Sequence, residues 1–436
     1  MRYERIDKQL FINNRKRLVE HLKPNSIAVF NSNDIMSTSA DGTMPFVQHT
    51  DIFHLTGIDQ EESILVVYPD AQNEQHKEVL FLRETNEHIA VWEGAKFTKE
   101  EARELSGIES IYWVQDFEQV FRSLMIYAEN VYLNTNEHFR IGKRVDIETR
   151  EDRFRKWCME VYPLHNYTRV APIMHKIRAI KSETEIALLQ KACDITNNAF
   201  RRILDFIKPG VWEYEIEAEI LHEFIRSRSR GFAYEPIIGS GASSCVLHYI
   251  ENSKQCKDGD ILLMDFGAEY ANYNADLTRT IPVNGRFSPR QKDVYNAVLR
   301  VHKESMNMLR PGVELLKYQQ EVGKIMESEL IGLGLLDKHD VAKQDPKRPL
   351  YKKYYMHNNS HHLGLNVHDY GSNYHKLEPG MVFTVEPGIY ILEEGLGVRI
   401  ENDVVVTEDA PFDLMRDIPI EVEEIEELMN AKSVLS

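Results

Sequence analysis

"DILLMDFGAEYANYNADLTRTIPV", residues 260–283, reads as two apolar strands joined by a polar turn. Asp265 and Asp276 lie 11 residues apart, with their midpoint between Tyr270 and Ala271. A chain that doubles back at that point sets the two carboxylates opposite each other on neighbouring strands, with Cβ atoms ~5 Å apart. Two anions that close in apolar surroundings repel and lose ionisation. A cation between them removes that cost.

The device recurs in "MVFTVEPGIYILEEGLGVRIENDVVVTE", residues 381–408. Here Glu386 and Glu401 flank a midpoint between Glu393 and Glu394, just before Gly395. Each of these carboxylates alone would read as a strand-end or turn residue. Their paired spacing, found twice, reads as two hairpins presenting four carboxylates to one cavity. Four carboxylates would overcharge a single ion but balance two divalent ions ~3.5–4 Å apart. A donor set rich in oxygen, with an imidazole, favours manganese first, with cobalt, iron or zinc as alternatives.

The hairpins sit inside a larger repeat. Ser182 and Glu185 form an S-x-x-E capping box at the head of a helical pattern that stops at Pro209-Gly210. Ser288-Pro289-Arg290-Gln291 opens a second capped helix, which stops at Pro311-Gly312. "IKPGVWEYEIEAEI" and "LRPGVELLKYQQEV" share the helix break, a valine and a new helix. His248 then precedes Asp265 by 17 residues and His368 precedes Glu386 by 18. This recurrence predicts a duplicated α+β unit over residues 174–436.

Upstream the pattern differs. "RIDKQLFINNRKRLVEHL" has helical spacing, and "SIAVF", "ESILVVY", "EVLFLRE" and "IAVW" read as strands. "TKEEARELSG" is a helix with a glycine stop. The alternation predicts an α/β domain over residues 1–173.

The 436 residues carry 52 Lys and Arg against 69 Asp and Glu, a net charge of −17. That balance excludes nucleic acid and anionic membrane as main partners. Four cysteines without a CxxC pair suit a reducing compartment. The start, "MRYERIDKQL", has no apolar signal region, and no apolar run approaches the ~20 residues of a membrane span. The expected setting is cytoplasmic.

"NNSHHLGLNVHDYG", residues 358–371, holds His361, His362 and His368, and His357 stands just before it. On one unbroken strand His362 and His368 would share a face and His361 would point away.

Together, "MDFGAEYANYNADLTRT", "MHNNSHHLGLNVHD", "TVEPGIY" and "VRIEND" resemble the dinuclear metallopeptidases of the aminopeptidase P and prolidase group. That group has the pita-bread fold shared with methionine aminopeptidase. "PFVQHTDIFHLTGI" with "ESILVV" resembles the amino-terminal domain of aminopeptidase P. The resemblance implies an α/β amino-terminal domain and an α+β pita-bread catalytic domain with an internal pseudo-twofold repeat. It implies two divalent metal ions, with Asp265 on one, Asp276 and Glu401 bridging both, and His361 and Glu386 completing the other. Glu386 would also move a proton from the attacking water to the leaving proline nitrogen. His248 and His368 would hold the substrate and its oxyanion, and His357 would line the proline pocket. Arg399 would pair with ligand carboxylates, and Tyr390 would stand behind them. The family pattern thus picks His361 over His362, and a bend at Gly364 would reconcile it with strand parity.

The implied activity is hydrolysis between any amino-terminal residue and a penultimate proline, with such peptides as partners. The implied assembly is a homo-oligomer, dimer or tetramer. A prolidase acting on Xaa-Pro dipeptides is the alternative, and a metal-free pita-bread binding protein is a third reading. The third is disfavoured because all five ligand positions are filled. Val47 and Asn366 depart from the family's usual arginine and aspartate without removing a ligand.

Overall fold

The computed structural model describes residues 2–135, 137–138, 140, 147–372 and 374–431. The chain divides into two compact units between Arg178 and Ala179.

The first unit contains β1 (Ser26–Asn31), β2 (Ile64–Val67), β3 (Glu78–Leu82), β4 (Ser110–Trp113), β5 (Asn130–Leu133) and β6 (Asn166–Arg169). They form one sheet in the order β4-β3-β2-β1-β5-β6. The β1–β2 and β2–β3 pairs are antiparallel, and the others are parallel. The helices are α1 (Lys8–Val19), α2 (Thr50–Thr56), α3 (Glu87–Glu93), α4 (Lys99–Ser106), α5 (Phe117–Met125), α6 (Arg150–Val161) and α7 (Ala171–Ala179). Strand alternation builds two cores. Ala28, Phe30, Leu65, Val67, Leu80 and Leu82 pack with residues of α1, α2, α4 and α7. Ile27, Val29, Ile64, Val66, Val79 and Phe81 pack with residues of α5 and α6. Both faces are apolar because helices cover both.

"IAVW" is not a strand. It lies within α3, where the Asn86 side chain accepts the Ile89 N–H and Gly94 ends the helix. Four apolar residues do not distinguish strand from helix, and the Asn86 cap decides it. Val91 and Trp92 are exposed on this helix.

The second unit contains α8 (Glu183–Phe206), α9 (Glu213–Arg226), α10 (Pro289–Asn307), α11 (Leu315–Gly332), α12 (Lys338–Val341) and α13 (Val422–Asn430). Its strands are β7 (Ile237–Ser240), β8 (Ile261–Phe266), β9 (Glu269–Tyr270), β10 (Tyr273–Asn274), β11 (Leu277–Pro282), β12 (Val382–Val385), β13 (Gly388–Ile391), β14 (Leu396–Arg399), β15 (Asn402–Val405) and β16 (Phe412–Asp413). They form sheets β11-β8-β7 and β12-β15-β16, with hairpins β9-β10 and β13-β14. A bridge between Thr278 and Glu401 joins the two halves.

The repeat extends to hydrogen bonds. α8 and α10 open with capping boxes, Ser182 with Glu185 and Ser288 with Gln291. After each helix the Pro-Gly glycine takes positive φ, +98° at Gly210 and +85° at Gly312, where a side chain would be strained. The Gly210 N–H donates to the Cys256 carbonyl and the Cys256 N–H returns to Val211, both at 2.8 Å. The Gly312 N–H donates to Leu377 and the Leu377 N–H returns to Val313, again both at 2.8 Å. Two helices and a returning β segment are therefore clamped the same way twice. Among the described residues no helix is long and apolar enough to cross a membrane.

Candidate metal centre

β8 is apolar through Ile261, Leu262, Leu263 and Met264 and is driven into the core, delivering Asp265 near its end. The chain then reverses through Ala271 and Asn272, both at positive φ, +54° and +67°. This is a two-residue hairpin turn of the kind that matches strand twist. It lies one residue later than the midpoint of the two aspartates. The register therefore pairs Asp265 with Thr278, and Asp276 is not directly opposite Asp265. A slip of two residues keeps side-chain parity, so both carboxylates still face one cavity. The Tyr234 hydroxyl touches both, 2.5 Å from Asp265 Oδ1 and 2.6 Å from Asp276 Oδ1.

In the second hairpin β13 pairs with β14 as Gly388↔Arg399 and Ile391↔Leu396. β12 pairs with β15 as Val385↔Asn402 in the same register. Both ladders centre between Glu393 and Glu394, where the sequence spacing puts the reversal. Glu386 and Glu401 thus stand opposite each other between the ladders. The Glu401 N–H donates to the Thr278 carbonyl at 3.0 Å, and the Thr278 hydroxyl donates to Glu401 Oε2 at 2.6 Å. The Glu386 N–H donates to Asn359 O at 2.8 Å.

His361 enters on the segment that runs beside β12. Its N–H donates to Thr384 Oγ1 at 3.2 Å, and its carbonyl accepts the Thr384 N–H at 3.0 Å. Nδ1 lies 3.0 Å from the His362 carbonyl, an acceptor only. In the neutral ring Nδ1 therefore carries the proton, and Nε2 offers its lone pair to the cavity. Nε2 lies 3.4 Å from Asp276 Oδ2 and 3.7 Å from Glu386 Oε1. His368, exposed, sets its ring edge-on to His361 with centroids 4.5 Å apart. His362 turns away onto the Phe383 ring, centroid to centroid 4.3 Å. The parity expectation that pairs His362 with His368 thus fails. The chain bends from Gly364 onward, and a Cβ on Gly364 would meet Asp369 Oδ2 at 2.2 Å.

The donor set fits a cation. Ligand atoms of Asp276, His361 and Glu401, all buried, lie within 4.8 Å of one another. Burial, then Asp276, Glu386 and Asp265, push the Glu401 carboxyl well above its usual range. Burial also raises Glu386 to about 7, with Asp276 and Asp265 adding to it against His361 and Arg399. Asp265 is raised by burial and by Asp276, against Arg399. One hydroxyl proton of Tyr234 cannot satisfy two carboxylates, a further sign of excess anionic oxygen. Divalent cations would remove this excess.

Arg399 anchors the rim. Nη2 meets Asp265 Oδ2 at 2.5 Å, Nε donates to Thr278 Oγ1 at 3.0 Å and Nη1 to Tyr390 Oη at 2.9 Å. The Tyr390 hydroxyl also lies 2.9 Å from His357 Nε2. Burial, then Arg399, hold His357 down at about 3, so its imidazole is neutral. His248 is exposed on the segment after a short 3₁₀ turn.

The model of metallopeptidase family M24 matches residues 187–408, and that of the aminopeptidase P N-terminal domain matches residues 11–132. The chain belongs to metallopeptidase family M24. It is 36% identical to the Xaa-Pro aminopeptidase of Escherichia coli over 98% of both chains. It is 31% identical to Xaa-Pro aminopeptidase 3 of Homo sapiens, covering 92% of this chain and 80% of that one. Among solved structures, zinc-substituted E. coli aminopeptidase P in complex with product matches with a TM-score of 0.87 at 34% identity. That match covers 98% of this chain and 99% of the other. Pseudomonas aeruginosa aminopeptidase PepP matches with a TM-score of 0.89 at 30% identity, covering 99% of both. The second unit of this M24 chain has the pita-bread fold, and the first is of the aminopeptidase P N-terminal type. An M24 metallopeptidase uses divalent metal ions.

Three residues of this M24 site were not picked out by the sequence readings above. Tyr234, in "GFAYEPIIGSG", precedes β7 and reaches the aspartates only through the fold. Thr278 shares strand parity with Asp276, which could have marked it as facing the cavity. Asp403 accepts the Asp276 N–H at 3.0 Å and the Cys193 thiol at 3.5 Å from behind.

Proposed function

We propose that this M24 chain is a dinuclear metal-dependent aminopeptidase that hydrolyses the bond between an amino-terminal residue and a penultimate proline. The observation that carries the reading is the meeting of Asp276, Glu401 and His361, with Glu386 beside His361 and Asp265 sharing Tyr234 with Asp276, in a chain alike over nearly its full length to Xaa-Pro aminopeptidases. Asp265 would hold one ion, Asp276 and Glu401 would serve both, and His361 and Glu386 would complete the other. Bound there, two divalent ions would lower the pKa of a water nucleophile and polarise the scissile carbonyl. The oxygen-rich donor set favours manganese, with cobalt, iron or zinc as alternatives.

The chain's own groups do the rest. Glu386 takes the proton of the attacking water and passes it to the proline nitrogen, which leaves as an amine. His248 and His368 donate to the carbonyl oxygen as charge develops there. His357, neutral and bonded to Tyr390, forms a wall of the proline pocket, and Arg399 fixes Asp265 and Tyr390 together. The Xaa-Pro bond is a tertiary amide without an N–H, so a site that asks nothing of that donor accepts it.

The free, buried cysteines Cys158, Cys193, Cys245 and Cys256 support a reducing, cytoplasmic setting. The homo-oligomer, dimer or tetramer, follows from the resemblance alone. Prolidase is not favoured, because the full-length relatives are Xaa-Pro aminopeptidases. The deciding experiment compares a Xaa-Pro dipeptide with a Xaa-Pro-Yaa peptide under manganese. Hydrolysis of the longer peptide is expected, and turnover of dipeptides alone would sink the reading.

A further inference from the structure

Glu213 is wholly buried at the start of α9, yet among the described residues its carboxylate makes no ion pair. Four donors converge on it instead. Ser240 gives its N–H and its hydroxyl to Oε1, at 2.8 and 2.7 Å. The Tyr249 hydroxyl and the Lys254 N–H go to Oε2, at 2.9 and 2.8 Å. The Glu213 N–H closes the ring by donating to the Lys254 carbonyl at 2.9 Å. A buried carboxylate is tolerated when its lone pairs are filled this way.

All four donors flank one residue. Ser240 ends β7, which lies beside β8 and its Asp265. Tyr249 is next to His248 in sequence, and Lys254 follows a few residues on. Lys254 Nζ also reaches back to Ser243 Oγ at 2.6 Å, and Asn252 ties Ile238 N–H, Pro236 O and Glu217 together. The imidazole of His248 is exposed, while the residue after it is buried and bolted. Among the described residues the His248 imidazole makes no hydrogen bond or ion pair, so its position follows from its backbone.

We propose that Glu213 is a positioning residue for His248, acting through Tyr249 to set where the imidazole stands beside the candidate metal centre. The proposal rests on the reading of His248 as a substrate contact. Glu213→Gln tests it without changing volume. An amide has one acceptor oxygen, so its NH₂ must face two of the four donors. Tyr249→Phe removes the one hydroxyl that the residue next to His248 gives to Glu213, and serves if Glu213→Gln does not fold.

The experiment measures metal content, kcat and KM on a Xaa-Pro-Yaa peptide for each variant, alone and combined with His248→Ala. Both single variants are expected to retain the metal content of the parent and lose kcat by about tenfold to 100-fold, as a misplaced contact would. In the His248→Ala background the same changes should cost little more. Equal fold-losses in both backgrounds, or loss of metal, would overturn the proposal and leave Glu213 a structural residue. Full activity in His248→Ala alone is a different failure. It would remove the reading of His248 and the proposal with it.

Discussion

Arg399 Nη2 stands 2.5 Å from Asp265 Oδ2, and both side chains are nearly buried. The same guanidinium also serves Thr278 and Tyr390, so three walls of the cavity meet on one planar cation. A lysine offers a point charge and cannot hold all three. Arg399→Met leaves Asp265 without its cationic neighbour, and Arg399→Lys restores only that charge. Metal affinity and kcat/KM should fall about 10–100-fold in the first and less in the second. Titration against a buffered metal series checks this, and parental affinity in Arg399→Met would refute it.

Asp276→Asn and Glu401→Gln should each abolish activity and two-metal retention. On the proposed reading each carboxylate serves both ions, and the Thr278 hydroxyl already fills part of Glu401. Metal analysis after dialysis is the readout. An active Asp276→Asn enzyme would end the bridging reading.

Tyr234→Phe should keep the fold and weaken metal retention by about tenfold, since the hydroxyl shared by Asp265 and Asp276 is lost. Unchanged metal affinity would mean that the contact orients nothing.

The neighbouring histidines separate cleanly. His361→Ala should lose metal and activity, because its ring stands among Asp276 and Glu386. His362→Ala should keep metal and cost about 1–3 kcal/mol of stability, because its ring fills space against Phe383 and Gly371. Metal loss confined to His362→Ala would reverse these roles.

That contrast also marks what the sequence could reveal. The Glu386–Glu401 reversal was legible because the spacing centres on a polar turn closed by Gly395, at φ +59°. The Asp265–Asp276 pair was placed in the right cavity but the wrong register. Its turn uses Ala271-Asn272, without the Asn-Gly or Asp-Gly signal that usually fixes a hairpin. Strand parity misled at His361 because it assumes an unbroken strand, and the chain bends at Gly364. "IAVW" misled because a side-chain cap three residues upstream outranks four apolar residues. Tyr234 and Asp403 were invisible for another reason, because they reach the ligands through tertiary contacts that no local period encodes, whereas Thr278 shares strand parity with Asp276.

His302 on α10 is buried away from the ligands, and among the described residues neither ring nitrogen has a hydrogen-bond partner. Burial first, then Arg279 and Lys303, push it down from 6.5 to about 3. Between those values the unfolded chain binds a proton that the folded chain refuses. Stability therefore falls as pH drops below the unfolded value, by up to about 1.4 kcal/mol per pH unit from this group. His302→Leu removes both the unsatisfied ring and this term. It should be neutral or more stable by about 1–3 kcal/mol near neutral pH, with a shallower decline toward acid. Urea midpoints between about pH 4 and 7, with hydrogen exchange in α10 to locate the unfolding unit, measure it. A variant with the parental acid slope would show that His302 is not the group that titrates.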